Sequence, residues 1–251
     1  GLDLPLHRQY GRFIFRAIQG DLGNSLYYNQ PAMGVVLEFF PATILLASLS
    51  LLITLVLSIP LGIASALKRD SVVDYAGMSF AVLGQALPPF WLGIMMILVF
   101  GVKLGWFPTS GYGTLRHAVL PSLTLGTYLM ALLTRMVRSG LLEVMSEDYI
   151  RTARAKGLPE STVVWKHAFR NMAIPLVTVI GLQLGTLLAG SLVTETVFAW
   201  PGVGRLLVQS IGARDYPVIQ AAVLLISTVF VVVNIAVDVL YVASDPRISY
   251  A

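Results

Sequence analysis

Five stretches of the chain contain no Asp, Glu, Lys or Arg: 41–67, 75–102, 117–134, 171–194 and 216–237. About 20 mostly apolar residues cross a bilayer as a helix, within a range of roughly 17 to 25. All five stretches are long enough, and two have length to spare for tilt or kink. Hydrocarbon offers no partner to a bare peptide group, so apolar runs of this kind predict helices. Barrel strands would show alternating stretches of about ten residues instead; these runs are continuous. The pattern therefore predicts an all-α integral membrane protein with a transmembrane region over 41–243.

Proline and glycine punctuate the stretches. Pro60 and Gly62 come late in the first, Pro121 and Pro175 early in the third and fourth, and Pro88–Pro89 half-way through the second. Two adjacent prolines remove two backbone donors and should bend or break the helix. Such a break is tolerated against protein or a wet cavity, so it marks either a packing kink or a pathway. Residues 1–40 are mixed. Phe13, Ile14 and Ile18 beside Arg12 and Arg16 predict either a short amphipathic segment at the outer surface or a solvated loop.

The placement of Lys and Arg sets the orientation. Lys68 and Arg69, the basic residues of the 135–170 region, and Arg247 fall on one side, ten in all; the other side holds seven. The first side is then cytoplasmic, together with a C-terminal tail, 244–251. Alternation across five spans puts residue 1 outside. That implies a preceding span and a six-helix parent.

The composition agrees with this reading. Charged residues make up 12% and apolar ones 56%, against about 25% charged in a soluble domain. With no cysteine, disulfides and thiolate metal sites are excluded. The basic residues flank apolar runs and do not share one soluble face with aromatic platforms, so nucleic acid is not the expected partner. No Walker loop, HExxH, GxSxG or CxxC is present, so an enzyme is not expected. Glu38, Glu195 and Asp238 stand near span ends without a nearby base and suit structural pairing better than acid–base chemistry. An ion-coupled carrier would place ionisable residues inside the spans, and none of the five stretches holds one beyond His117 at an edge. A channel gives no reason for the loop described next.

That loop, about 138–170, carries Ser146 as a candidate N-cap, then Glu147 and Asp148 at a helix start, and cations toward the helix end. Gly157 can take a left-handed C-cap, and Pro159 can open a second helix. Ile150, Ala153 and Gly157 share a narrow face of small and apolar side chains, which suits a partner groove. The plainer alternative is a basic loop resting on anionic lipid.

The stretch Arg151-Thr152-Ala153-Arg154-Ala155-Lys156-Gly157, followed by His167-Ala168-Phe169-Arg170-Asn171, resembles the cytoplasmic loop of ATP-binding-cassette importer permeases, in the form typical of the peptide/nickel branch. Arg151 and Thr152 replace the glutamate and first alanine of the general pattern. Further motifs are similar to that branch and to its first permease type: Gly20-Asp21-Leu22-Gly23-Asn24-Ser25, Leu120-Pro121-Ser122-Leu123-Thr124-Leu125-Gly126, Glu195 to Arg205, Arg214-Asp215-Tyr216-Pro217, Asp238-Val239-Leu240-Tyr241 and Asp245-Pro246-Arg247-Ile248.

The resemblance implies a multi-pass subunit of the bacterial inner membrane that works with a second homologous permease, two ATP-binding subunits and an extracytoplasmic solute-binding protein. ATP and Mg would bind the partners, with no cofactor or metal in this chain. The coupling loop would comprise Asp148, Tyr149, Arg151, Thr152, Ala153, Arg154, Ala155, Lys156, Gly157 and Leu158. Gly157 would set the turn, Ala153 and Ala155 would allow close approach, and the cations could pair with partner carboxylates. Peptides or related small solutes such as glutathione are the implied cargo, with nickel chelates and opines as alternatives. For the path, the polar groups Gln85, Thr124, Tyr128, Gln183 and Ser191, with Pro88 and Pro89, are the candidates; each could instead bond a neighbouring helix.

Overall fold

The computed structural model describes residues 5–244, and the regular structure among them is helical. Of the expected tail 244–251, all but Ser244 lies outside the described residues, as does the 245–248 motif. The helices run in the order α1 (Leu6–Ile18), α2 (Ala32–Leu67), α3 (Val72–Ala86), α4 (Pro89–Met96), α5 (Leu115–Met145), α6 (Asp148–Ala155), α7 (Glu160–Thr162), α8 (Arg170–Val197), α9 (Val203–Ala213) and α10 (Tyr216–Ser244). Wider π-helical turns, Ile97–Lys103 and Val163–Phe169, extend α4 and join α7 to α8.

Three helices, α2, α5 and α10, are each long and apolar enough to cross a membrane, and two bent pairs bring the possible crossings to five. The sharper bend, 112°, separates α3 from α4. It falls at Leu87–Pro88, where Leu87 is extended and Pro89 opens α4. A proline cannot donate back to the preceding turn, so α3 stops and a new helix starts in another direction. Pro41, Pro60 and Pro121 stay inside their helices.

Helix boundaries overrun the charge-free stretches. The helix holding 41–67 begins at Ala32, and the one holding 117–134 continues through Arg135, Arg138 and Glu143 to Met145. Charges end a hydropathy run but do not end a helix, because Arg and Glu are good helix formers.

Small residues bring α2 and α5 together. A Cβ on Gly62 would stand 2.6 Å from Val137 Cβ and 2.9 Å from the Thr134 carbonyl; one on Gly126 would stand 2.6 Å from Thr54 Oγ1. Thr54 Oγ1 donates to the Gly126 carbonyl at 3.2 Å. In a bilayer the hydrophobic effect does not drive helices together, so close backbone approach and such hydrogen bonds hold them. The resulting core runs from Leu46 and Leu129 down to Ile150, Val163 and Ala168. A second cluster at the other end joins Leu22, Val35 and Val36 to α9 and the start of α10 through Val203, Leu206 and Val218. Helix α1 buries none of its residues, and Leu6, Phe15 and Ile18 are exposed on it.

Candidate functional site

A cavity of about 380 Å³ opens at the break between α3 and α4. Gln85 reaches it from the end of α3, Pro88 and Pro89 from the break, Thr124 and Tyr128 from α5, and Gln183 from α8. Six of the seven path candidates thus line one space. The seventh, Ser191, does not: it is buried in α8, with its hydroxyl donating to the Leu188 carbonyl at 2.8 Å. The threonine hydroxyls at the cavity are used locally, Thr124 on Leu120 and Thr127 on Leu123. Gln183 Oε1 accepts from Thr186 at 3.1 Å. Gln85 and Tyr128 have no hydrogen-bond partner among the described residues, which leaves an amide and a phenol for a guest. No lining residue carries a full charge at neutral pH.

Helix α5 runs from this cavity to α6. Glu147, not Ser146, occupies the N-cap position of α6, and the Ser146 hydroxyl instead donates to Glu143 at the end of α5. The two-residue junction leaves Ser146 within reach of the preceding turn. At the other end Gly157 N–H donates to Arg154 O at 2.9 Å and Leu158 N–H to Ala153 O at 3.4 Å. With φ +74° at Gly157, this is the paired closure of a Schellman cap.

Two expectations about this loop are corrected. Ile150 (0% exposed) and Ala153 (6%) turn inward onto Val163, Val164 and Ala168, so the small apolar face serves the chain's own core. The outward residues are Asp148, Tyr149, Arg151, Thr152, Arg154, Ala155, Lys156, Gly157 and Leu158. Arg154 pairs within the chain: it donates to Glu160 at 3.2 and 2.6 Å and braces the turn. That pairing pulls the Glu160 carboxyl below its ordinary range and raises the Arg154 guanidinium. Arg151 lies 3.5 Å from Asp148. A groove of about 310 Å³ runs between α6 and the following π-helical turn, from Tyr149 and Lys156 to His167. Asn171 donates to the Tyr149 hydroxyl at 3.0 Å across it.

The outer motifs meet in space. The Ser25 hydroxyl donates to the buried Asp215 carboxylate, as does Tyr27 N–H at 3.3 Å. Burial pushes that carboxyl up, but Ser25 and the backbone N–H groups of Leu26, Tyr27 and Val218 hold it below the usual range. Glu195, fully buried, accepts from Thr43 Oγ1 at 2.8 Å and from Arg205 N–H at 3.0 Å. A Cβ on Gly202 would strike the Glu195 carboxylate, and one on Gly204 would stand 2.5 Å from Leu192 Cα and 2.9 Å from Glu195 Oε2. Trp200 Nε1–H donates to the Ala42 carbonyl at 2.9 Å, tying the loop before α9 to α2.

Residues 58–250 match the family described as binding-protein-dependent transport system inner membrane component. The chain belongs to this family of ABC-importer permeases. Over 250 residues, all of this chain and 82% of the relative, it is 48% identical to a glutathione transport system permease protein of Salmonella paratyphi A. It is 47% identical over the same span to the one of Escherichia coli K12. The fold resembles a chain of the inward-facing MetNI methionine ABC transporter, with a TM-score of 0.70 at 22% identity over 86% of this chain and 98% of that one. It also resembles an amino acid ABC transporter solved with histidines, with a TM-score of 0.59 at 13% identity over 86% and 94%. The permease is therefore a multi-pass inner-membrane transport subunit of the peptide branch. It is not an enzyme, and ATP hydrolysis belongs to partner subunits.

Sequence reasoning missed the ion pair between Asp74 and Arg138, whose fork donates at 2.5 and 2.6 Å. Arg138 was assigned to the loop, yet it sits in α5. The available signal was Ser71-Val72-Val73-Asp74, a capping-box spacing just ahead of an apolar stretch.

Proposed function

We propose that this permease passes small peptides or closely related solutes, glutathione among them, through the cavity at the α3–α4 break. The observation that carries this reading is the cavity's lining: neutral amide and phenol groups on α3, α5 and α8, with α5 continuing directly toward α6. Its volume falls within the roughly 300–1,000 Å³ of small-molecule sites, and a second homologous permease would supply the opposite wall. Gln85, Gln183 and Tyr128 match peptide carbonyls, N–H groups and carboxylates by hydrogen bonding. Without a fixed countercharge they hold solute weakly, as release into the cell requires. The relatives at 48% and 47% identity support a glutathione-sized peptide.

Coupling, in this reading, passes through α6 and the Gly157 turn, which dock on one of two ATP-binding subunits that carry ATP and Mg. Arg151, Thr152, Ala155 and Lys156 face that partner, and Leu158 and Tyr149 border the groove beside it. An extracytoplasmic binding protein delivers solute at the end formed by the Ser25–Asp215 and Glu195 junctions. The positive side and the C-terminus are cytoplasmic. ATP-driven closure of the partners moves α6, and α5 carries the motion to the cavity.

The test is purification from the native host in mild detergent, followed by reconstitution in vesicles with the co-purified binding protein. Recovery of a homologous permease and ATP-binding subunits, with ATP-dependent uptake of labelled glutathione or di- and tripeptides, is expected. Uptake without ATP by this chain alone would refute the proposal. Uptake of a nickel chelate or an opine in place of peptides would refute the solute assignment.

A further inference from the structure

Among the described residues, every ion pair except one joins neighbours in sequence. The exception, Asp74–Arg138, links the first turn of α3 to α5 across 64 positions. Its side chains are 3% and 23% exposed, for Asp74 and Arg138 respectively. The Asp74 carboxylate also accepts the Asp70 N–H at 3.1 Å, while Ser71 Oγ accepts the Asp74 N–H at 3.4 Å. The bidentate fork therefore grips a carboxylate that is itself fixed to the helix cap. A buried ion pair contributes little net stability over an apolar pair of the same size, and one attested reason to keep it is to fix a geometry.

That geometry has a definite place in the molecule. Eleven residues along α3 from Asp74 stands Gln85, and ten residues back along α5 from Arg138 stands Tyr128; at 1.5 Å per residue both lie about 15 Å up their helices. There the two helices meet again, where a Cβ on Gly84 would stand 3.1 Å from Thr127 Cγ2 and 3.2 Å from Ala131 Cβ. In the other direction, α6 begins ten residues after Arg138. Beyond the break, α4 packs between α8 and α5: a Cβ on Gly93 would stand 3.2 Å from Phe198 and Val197 at the end of α8 and 3.4 Å from Thr124 of α5.

We propose that Asp74 and Arg138 are positioning residues for transport. They clamp α3 to α5 so that displacement of α6 moves both helices as one body and opens or closes the cavity at Leu87–Pro88. This rests on the reading of α6 as the docking element. Without the fork, α5 would tilt while α3 stayed behind, and ATP would be hydrolysed with little solute moved.

The experiment uses the whole transporter in vesicles, with labelled peptide and loaded binding protein, and reads solute moved per ATP hydrolysed alongside subunit stoichiometry and melting temperature. Arg138→Lys keeps the charge but loses the fork. It is expected to assemble normally and lose about tenfold in solute per ATP, while binding protein still stimulates hydrolysis. Asp74→Leu/Arg138→Met, an apolar pair of similar size, is expected to assemble and show the same loss. Wild-type solute per ATP in Arg138→Lys overturns the clamp, as does full coupling in the assembled double variant. If the double variant does not assemble, Arg138→Lys decides. Gly157→Leu, measured in parallel, separates the two levels. Uncoupling by Gly157→Leu with normal coupling in Arg138→Lys overturns the clamp alone. Normal coupling in both removes the docking element as well.

Discussion

Gly157→Ala isolates one physical requirement of the coupling turn. Nothing lies within 4 Å of a Cβ built at this position, so the substitution meets no clash inside the chain. What it meets is backbone strain, because φ is +74°. Holding an ordinary L-residue in the left-handed region costs roughly 1–2 kcal/mol, which shifts a two-state balance by about 5- to 30-fold. Opposing that shift are the two cap hydrogen bonds, from Gly157 and Leu158, and the Arg154–Glu160 brace. The brace is exposed and contributes little. Gly157→Ala should therefore open the turn, speed hydrogen exchange at Gly157 and Leu158 amides by up to that factor, and lower ATP-driven uptake in vesicles without lowering insertion. Asn tolerates the left-handed region better than Ala does, so Gly157→Asn should recover most of the uptake. Wild-type uptake in Gly157→Ala would refute the strain argument. Uptake in Gly157→Asn as low as in Gly157→Ala, or lower, would place the requirement in space for the partner subunit instead of in the backbone.

Gly62→Ala pushes a methyl into Val137 and the Thr134 carbonyl, at 2.6 and 2.9 Å. It should destabilise the protein in detergent by about 1–3 kcal/mol, read as a lowered melting temperature, whereas Gly11→Ala in open space should not destabilise it. Glu195→Ala strands the Thr43 hydroxyl and the Arg205 N–H, at roughly 1–3 kcal/mol for a buried unsatisfied group; Glu195→Gln, which keeps an acceptor, should lower the melting temperature less. The Glu160 carboxyl is held down by the Arg154 hydrogen bonds. The brace is then complete above the ordinary glutamate value of about 4.3 and is lost only as pH falls through the lowered one. Hydrogen exchange across 154–160, corrected for its intrinsic pH dependence, should stay flat from pH 8 to 5, and a rise within that window would contradict the pairing.

Much of this protein was legible along the chain because the relevant signals are local. A run without charges reports its own burial in lipid, a double proline removes its own hydrogen bonds, and a glycine between a helix end and a proline marks its own cap. The cavity candidates were found the same way, as polar groups in apolar runs beside the double proline, and four of the five polar groups converge on it. Ser191 had the same signal and faces elsewhere: a hydroxyl can satisfy itself on a carbonyl of its own helix whichever way that helix is rotated, as Ser191 and Thr124 both do, so the signal carries no direction.

What only the tertiary structure decided is how each helix is rotated and which residues meet across helices. On a membrane helix apolar side chains face lipid and core alike, so the periodicity that marks an inner face in a soluble helix is nearly silent. The inner face of α2 is marked by Ser50, Thr54 and Gly62 against α5, not by greater hydrophobicity. The small face of α6, outside the spans, gave no sign of whether it met a partner or the chain's own π-helical turn, because either contact buries small apolar side chains. The pairs Asp74–Arg138, Ser25–Asp215 and Thr43–Glu195 join residues 64, 190 and 152 positions apart. Each exists because packing brings together segments far apart in the chain, and no local pattern encodes which of them will meet.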